Sequence, residues 1–125
     1  MRAEEQEQMT VVNYLRYQYP NVLFNISPVN CTNAQQGVKN KRMGANSGCP
    51  DLMLFSPNKN YHGLFIELKT PEKKDCFGKV YQKKGVVKKH QQEYIDKLNN
   101  AGYLAVVCYG ADSAIEIINS YLTNE

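Results

Sequence analysis

Apolar and polar positions along the chain predict seven regular elements joined by polar segments. From Glu4 to about Tyr19, Val11, Tyr14 and Leu15 share one helical face and Pro20 closes the element, which predicts a first helix. Val22-Leu23-Phe24-Asn25-Ile26 reads as a short strand. Ser27 to Pro50 is rich in Asn, Gly, Ser and Pro without a sustained period, and is expected to be an irregular, functional or mobile stretch. Asp51–Phe55 and Gly63–Lys69 predict two more strands about the turn cluster Ser56-Pro57-Asn58-Lys59-Asn60. Pro71 and Gly85 bound a lysine-rich loop. Val87 to Ala101 predicts a helix with Gln91, Tyr94, Ile95 and Leu98 on one side and Gly102 as its C-cap. Tyr103–Cys108 is apolar and β-branched, as a buried strand should be. Ser113-Ala114-Ile115-Glu116 has the form of a capping box opening a last helix, with Ile117, Ile118, Tyr121 and Leu122 on its buried side. The order α-β-β-β-α-β-α, without repeats or linkers, predicts an α/β fold: a central mixed β-sheet flanked by helices, in one domain spanning 1–125.

Composition narrows the class. With 42% hydrophobic and 22% charged residues in 125, the chain can form a small core and is not disordered. No apolar run approaches the ~20 residues that cross a bilayer, so no membrane partner is expected. The opening Met1-Arg2-Ala3-Glu4-Glu5-Gln6-Glu7 is too polar for a secretory signal, which favours the cytoplasm. Cys31, Cys49, Cys76 and Cys108 are scattered, and His62 and His90 stand alone, so neither zinc spacing nor a disulfide framework is expected. Cys108 belongs to a core strand.

Charge is unevenly placed. Between Lys69 and Lys89 lie eight lysines (Lys69, Lys73, Lys74, Lys79, Lys83, Lys84, Lys88 and Lys89) against two acids, Glu72 and Asp75. That is a surplus of six in a chain of net charge +3, so the remainder sums to −3. Lys39, Lys41 and Arg42 form a second basic cluster. Local positive charge on a near-neutral chain suits a polyanion. Phe77 and Tyr81, inside the basic loop, are better placed to contact an unstacked base than Tyr14, Tyr94, Tyr103 or Tyr121, which read as core or interface.

Candidate chemistry lies in the middle hairpin. With its turn near Lys59, the residue opposite position i is about 118 − i, which sets Asp51 against Glu67. Strand alternation puts Lys69 on the face of Glu67, and Leu64, Ile66 and Leu68 on the other. Two opposed carboxylates repel unless a cation bridges them. Oxygen ligands of this kind suit Mg²⁺ or Mn²⁺, and a lysine alongside can hold a water or offset charge on a phosphate under attack.

These residues resemble a known pattern. Pro50-Asp51 followed by Glu67-Leu68-Lys69 resembles the PD-(D/E)xK nuclease motif. The wider context is similar to the VRR-NUC (virus-type replication-repair nuclease) family: Lys41-Arg42-Met43-Gly44, Gly48-Cys49-Pro50-Asp51-Leu52, Phe65 to Pro71, Gln91-Gln92-Glu93-Tyr94-Ile95, and Leu98 to Tyr103. The opening Glu4-Glu5-Gln6-Glu7-Gln8 with Tyr14-Leu15 resembles its first helix.

The resemblance implies a restriction-endonuclease-like core and a DNA endonuclease dependent on Mg²⁺ or Mn²⁺, without an organic cofactor. It implies that Asp51, Glu67 and the main-chain carbonyl of Leu68 hold the metal, and that Lys69 is the catalytic lysine. Gln91 would face the site, and Glu4 would complete the metal shell, with Glu5 as competitor. It further implies a stand-alone phage-type enzyme acting in the host cell as a homodimer on branched DNA such as Holliday junctions, leaving 5′-phosphates. Lys39, Lys41, Arg42 and the lysines from Lys73 to Lys89 would grip the backbone without reading sequence. The alternatives are a non-catalytic nucleic-acid-binding or protein-interaction module of nuclease-like fold and a restriction-type enzyme.

Overall fold

The computed structural model describes residues 2–27 and 34–124; Cys31 and part of the predicted irregular stretch lie outside them. The first helix, α1 (Ala3–Gln18), buries Val11 and Leu15. Strand β1 (Phe24–Ile26) follows and, after it, a second helix α2 (Ala34–Arg42). Then come β2 (Leu52–Leu54) and β3 (Leu64–Lys69). A small hairpin, β4 (Lys73–Lys74) and β5 (Val80–Gln82), leads to α3 (Lys89–Asn100), β6 (Leu104–Tyr109) and α4 (Ala111–Thr123).

Four strands form one mixed sheet in the order β1-β2-β3-β6. β1, β2 and β3 pair antiparallel, and β6 runs parallel to β3. The β2–β3 register is Leu52↔Ile66, Met53↔Phe65 and Leu54↔Leu64, the register expected from the turn position. Leu64, Ile66 and Leu68 turn to one face, into a core with Val11 and Leu15 of α1 and Ala114, Ile118 and Tyr121 of α4. Cys108 is part of that core. The other face of β6 receives α3: the Asn99 side chain accepts the Ala105 N–H at 2.9 Å and donates to its carbonyl at 3.1 Å. The C-cap of α3 is Ala101, one residue before the predicted Gly102, which follows at φ +96°; a Cβ there would lie 2.5 Å from the His62 ring.

Three further expectations need correction. The stretch from Ser27 to Pro50 is not wholly irregular, because it contains α2. That helix is short, has Gly37 inside it and buries no side chain over 35–42, so no apolar period announces it. Its signal is polar, an i,i+4 bond from Gln36 Nε2 to Asn40 Oδ1 at 2.9 Å. The basic loop is not a plain loop but carries the β4–β5 hairpin. The last helix begins at Ala111, two residues before the Ser113 capping box. Gly110, at φ +95°, is its N-cap, and the Ala111 N–H is satisfied by Glu7 Oε2 of α1 at 2.6 Å. A carboxylate from another helix therefore does the work expected of the local serine.

Candidate metal centre

Strand alternation directs Glu67 and Lys69 to the α3 face of the sheet, opposite the leucine-rich core. Asp51 precedes the first paired residue of β2, at the rim where grooves on both faces of the sheet meet. Its Oδ2 accepts the Leu68 N–H at 2.8 Å, continuing the ladder with a side chain in place of main chain. Within a strand, a residue's N–H and C=O leave from the same edge. The Leu68 carbonyl therefore projects toward Asp51, whereas Lys69 turns its carbonyl to the Gly110 N–H at 2.9 Å on the opposite edge.

The first turn of α1 adds the third acid. Carboxylate oxygens of Glu4, Asp51 and Glu67 all lie within 4.8 Å of one another. Glu5 does not join them; its Oε2 accepts the Arg2 N–H at 3.2 Å at the helix start. Lys69 Nζ stands 3.4 Å from Glu67 Oε1, and the two residues are only 7% and 1% exposed. Gln91 bridges the site to α3. Its Oε1 accepts the Lys88 N–H at 2.9 Å, which leaves Nε2 to donate to Glu67 Oε1 at 3.1 Å. Because a helix N-terminus offers only donors, this pairing fixes which end of the amide meets the carboxylate.

The acids are not at ease as a metal-free group. Burial pushes the Glu67 carboxyl up to about 8, the Asp51 charge adds to the rise, and Lys69 opposes it. Asp51 is raised by burial against the pull of the Leu68 N–H and Lys69. Glu4 is raised by burial and then by Asp51. With both acids charged, Glu67 Oε2 is buried without a donor among the described residues, while Asp51 and Glu67 approach closely enough to share a proton when one is neutral. An orphaned carboxylate oxygen among three converging hard donors fits a divalent cation of the Mg²⁺, Mn²⁺ or Ca²⁺ type. Among the described residues, no histidine or cysteine joins this group.

The basic residues fall into separate places. Lys41 and Lys88 line a cleft of ≈ 970 Å³ shared with Asp51, Glu67 and Gln91. Lys39 and Arg42 border a different groove along α2 with Val38 and Met43. Lys73, Lys74 and Lys79 lie on the hairpin, Lys83 and Lys84 follow it, and Lys89 pairs with Glu93 at 4.0 Å. His90, left without a role by sequence, supports the site through its backbone. A Cβ on Gly48, at φ +92°, would lie 2.6 Å from the His90 carbonyl, so only glycine lets the segment carrying Asp51 pass this close to α3. Glu7 was not singled out by sequence. Its signal was its place three residues after Glu4, on the same side of α1.

A four-stranded mixed sheet whose central strands bring acids together beside a buried lysine defines a nuclease-type α/β fold of the PD-(D/E)xK kind. The chain belongs to the VRR-NUC domain family, whose model matches residues 2–112. It is also similar to the solved structure of a VRR-NUC domain protein, with 28% identity over 99% of this chain and 91% of that chain and a TM-score of 0.76. No curated protein matches the sequence.

Proposed function

We propose that residues 1–125 act as one metal-dependent nuclease domain that hydrolyses DNA phosphodiester bonds, with Mg²⁺ or Mn²⁺ held by Asp51, Glu67, the Leu68 carbonyl and Glu4. The observation that carries this reading is the convergence of three carboxylates beside Lys69, with one Glu67 oxygen left without a donor when the acids are charged. When bound, such a cation stabilises negative charge on phosphate oxygens and acidifies a water. The side chains supply the rest. Lys69 is a fixed positive charge in a site that excludes most solvent, where it offsets charge gained by the phosphate in the transition state. Gln91 holds Glu67 in one orientation through the helix start, and Asp51 is held by the Leu68 N–H. Lys39, Lys41, Arg42 and the lysines from Lys73 to Lys89 bind phosphates without reading bases.

The substrate in this reading is branched DNA, of which a four-way junction is the type. Resolving a junction needs two symmetric cuts, so the active form is a homodimer, working in the cytoplasm and leaving 5′-phosphates. The test is incubation of the full chain with an end-labelled four-way junction, linear duplex and single strand, with Mg²⁺, Mn²⁺ or EDTA. Metal-dependent cutting of the junction is expected, falling ~100-fold or more in Glu67→Gln and in Lys69→Met. Tight binding without cleavage under either metal would instead identify a binding module.

A further inference from the structure

The β4–β5 hairpin leaves the sheet directly after the strand carrying Glu67 and Lys69, and the metal centre does not account for it. Its stem is fastened. The Gly85 N–H donates to the Thr70 carbonyl at 2.9 Å, Thr70 Oγ1 donates to the Lys83 carbonyl at 3.3 Å, and Gln82 Nε2 donates to the Pro71 carbonyl at 2.7 Å. Its tip is equally ordered. Asp75 Oδ1 accepts the N–H groups of Phe77 and Lys79, each at 2.9 Å, and the Gly78 N–H donates to the Asp75 carbonyl at 3.0 Å. Gly78 supplies the φ of +80° that the turn requires. This framework holds Phe77 out in water at 91% exposure, and its ring packs on no other aromatic ring among the described residues. A second aromatic projects nearby. The ladder slips between Lys73 and Lys74, making Tyr81 the extra residue of a bulge, and it is 68% exposed.

Two exposed aromatic rings, Phe77 and Tyr81, on one fastened hairpin among lysines form a surface on which a base can stack. The surrounding charge points the same way. Of the lysines here, Lys73 pairs with Glu7 at 3.9 Å and Lys74 with Glu72 at 3.5 Å, and the remaining acid, Asp75, is occupied by the turn. Lys79 and Lys83 form no ion pair among the described residues. Aromatic rings among lysines are the usual means of holding unpaired bases, because every base has a face to stack and a phosphate beside it. Phe77 lies eight positions after Lys69, at most ~29 Å along the chain, less than one ~34 Å turn of duplex. Tip and metal centre can therefore engage the same turn of DNA.

We infer that this hairpin recognises unpaired nucleotides at a branch, with Phe77 stacking on an exposed base and Lys79 and Lys83 on the flanking phosphates. The inference rests on DNA being the substrate in the reading above, and it assigns selectivity to a place apart from the acids. The test is fluorescence anisotropy of the full chain, in EDTA, on a labelled duplex, the same duplex with a single-stranded flap, and the flap with abasic positions. The wild type should prefer the flap to both other probes. Phe77→Ala should lose about tenfold on the flap, nothing on the duplex, and nothing in melting temperature, whereas Phe77→Tyr should retain the preference. Equal losses on flap and duplex, a preference untouched by Phe77→Ala, or no preference in the wild type would each overturn the assignment. Cleavage of the same probes with Mn²⁺ separates the two proposals. Cutting with a preference indifferent to Phe77 refutes the hairpin assignment alone; stacking without cutting supports it and refutes the nuclease reading.

Discussion

At the scale of single residues, Glu67 sits under opposing demands. It is buried, it faces two other carboxylates, and its relief comes from one ammonium and one amide. In the folded, metal-free chain it keeps its proton up to about pH 8, against an ordinary value of 4.5. The folded state then holds more protons than the unfolded state between those values, so stability falls as pH rises through that window. Asp51 and Glu4, both raised, add slope of the same sign. Thermal melts in EDTA should show a melting temperature that drops from pH 5 to pH 8. Glu67→Gln, which cannot ionise, should flatten most of that fall; an unchanged slope would mean Glu67 is not the group responsible. Addition of Mn²⁺ at pH 8 should raise the melting temperature, because a ligand that binds only the folded state stabilises it, by ~2.7 kcal/mol at a hundred times its dissociation constant. The gain should vanish in Asp51→Asn.

At the scale of elements, the site depends on how α1 is seated. Glu7 ties that helix to α4 through the Ala111 N–H and approaches Lys73 Nζ at 3.9 Å. It is thus a clasp among α1, α4 and the hairpin, one turn of helix away from Glu4. Glu7→Ala should cost ~1–2 kcal/mol through the uncapped N-terminus of α4, read as a lower midpoint in urea. Glu7→Gln, which still accepts the hydrogen bond, should recover much of it. Gly48 plays the corresponding part between the Asp51 segment and α3. Gly48→Ala needs a strained backbone and a Cβ inside van der Waals contact with the His90 carbonyl. It should destabilise by more than 1 kcal/mol and weaken Mn²⁺ binding measured by calorimetry.

At the scale of the whole molecule, positive charge borders the cleft and extends over the hairpin, while the remainder is slightly acidic. Binding to DNA should therefore fall linearly on a log–log plot of affinity against salt, with a slope of ~−0.9 per phosphate neutralised on duplex. Lys84 stands 4.1 Å over the Tyr109 ring, so its removal would also delete a cation–π contact. Lys79→Ala with Lys83→Ala is the cleaner test, and should reduce that slope by up to ~2 without changing sequence preference; a salt-independent affinity would refute the basic surface as a backbone grip. Light scattering at micromolar concentration should give twice the 14.3 kDa chain mass if the homodimer is the working form.

Much of this architecture follows from local pattern. Period-2 alternation from Leu64 to Lys69 put three apolar side chains on one face and two charged ones on the other, and the turn near Lys59 set the register that brings Asp51 against Glu67. The buried faces of α3 and α4, and the end of α3 to within one residue, were equally legible, because burial by one sheet face imposes a period. Folding alone decided what period cannot carry. Helix α2 buries no side chain over 35–42, so no apolar stripe marks it. The β4–β5 hairpin is held by polar bonds of Asp75 at its tip and of Thr70, Gln82 and Gly85 at its stem rather than by alternation. Glu4 and Glu5 are adjacent acids on one turn, and only the packing of Val11 and Leu15 against the sheet determines which of them reaches Asp51. The start of α4 moved because a carboxylate distant in sequence met its first N–H. Local sequence specifies periods and turns, whereas the partner of a buried polar group is whichever atom packing delivers.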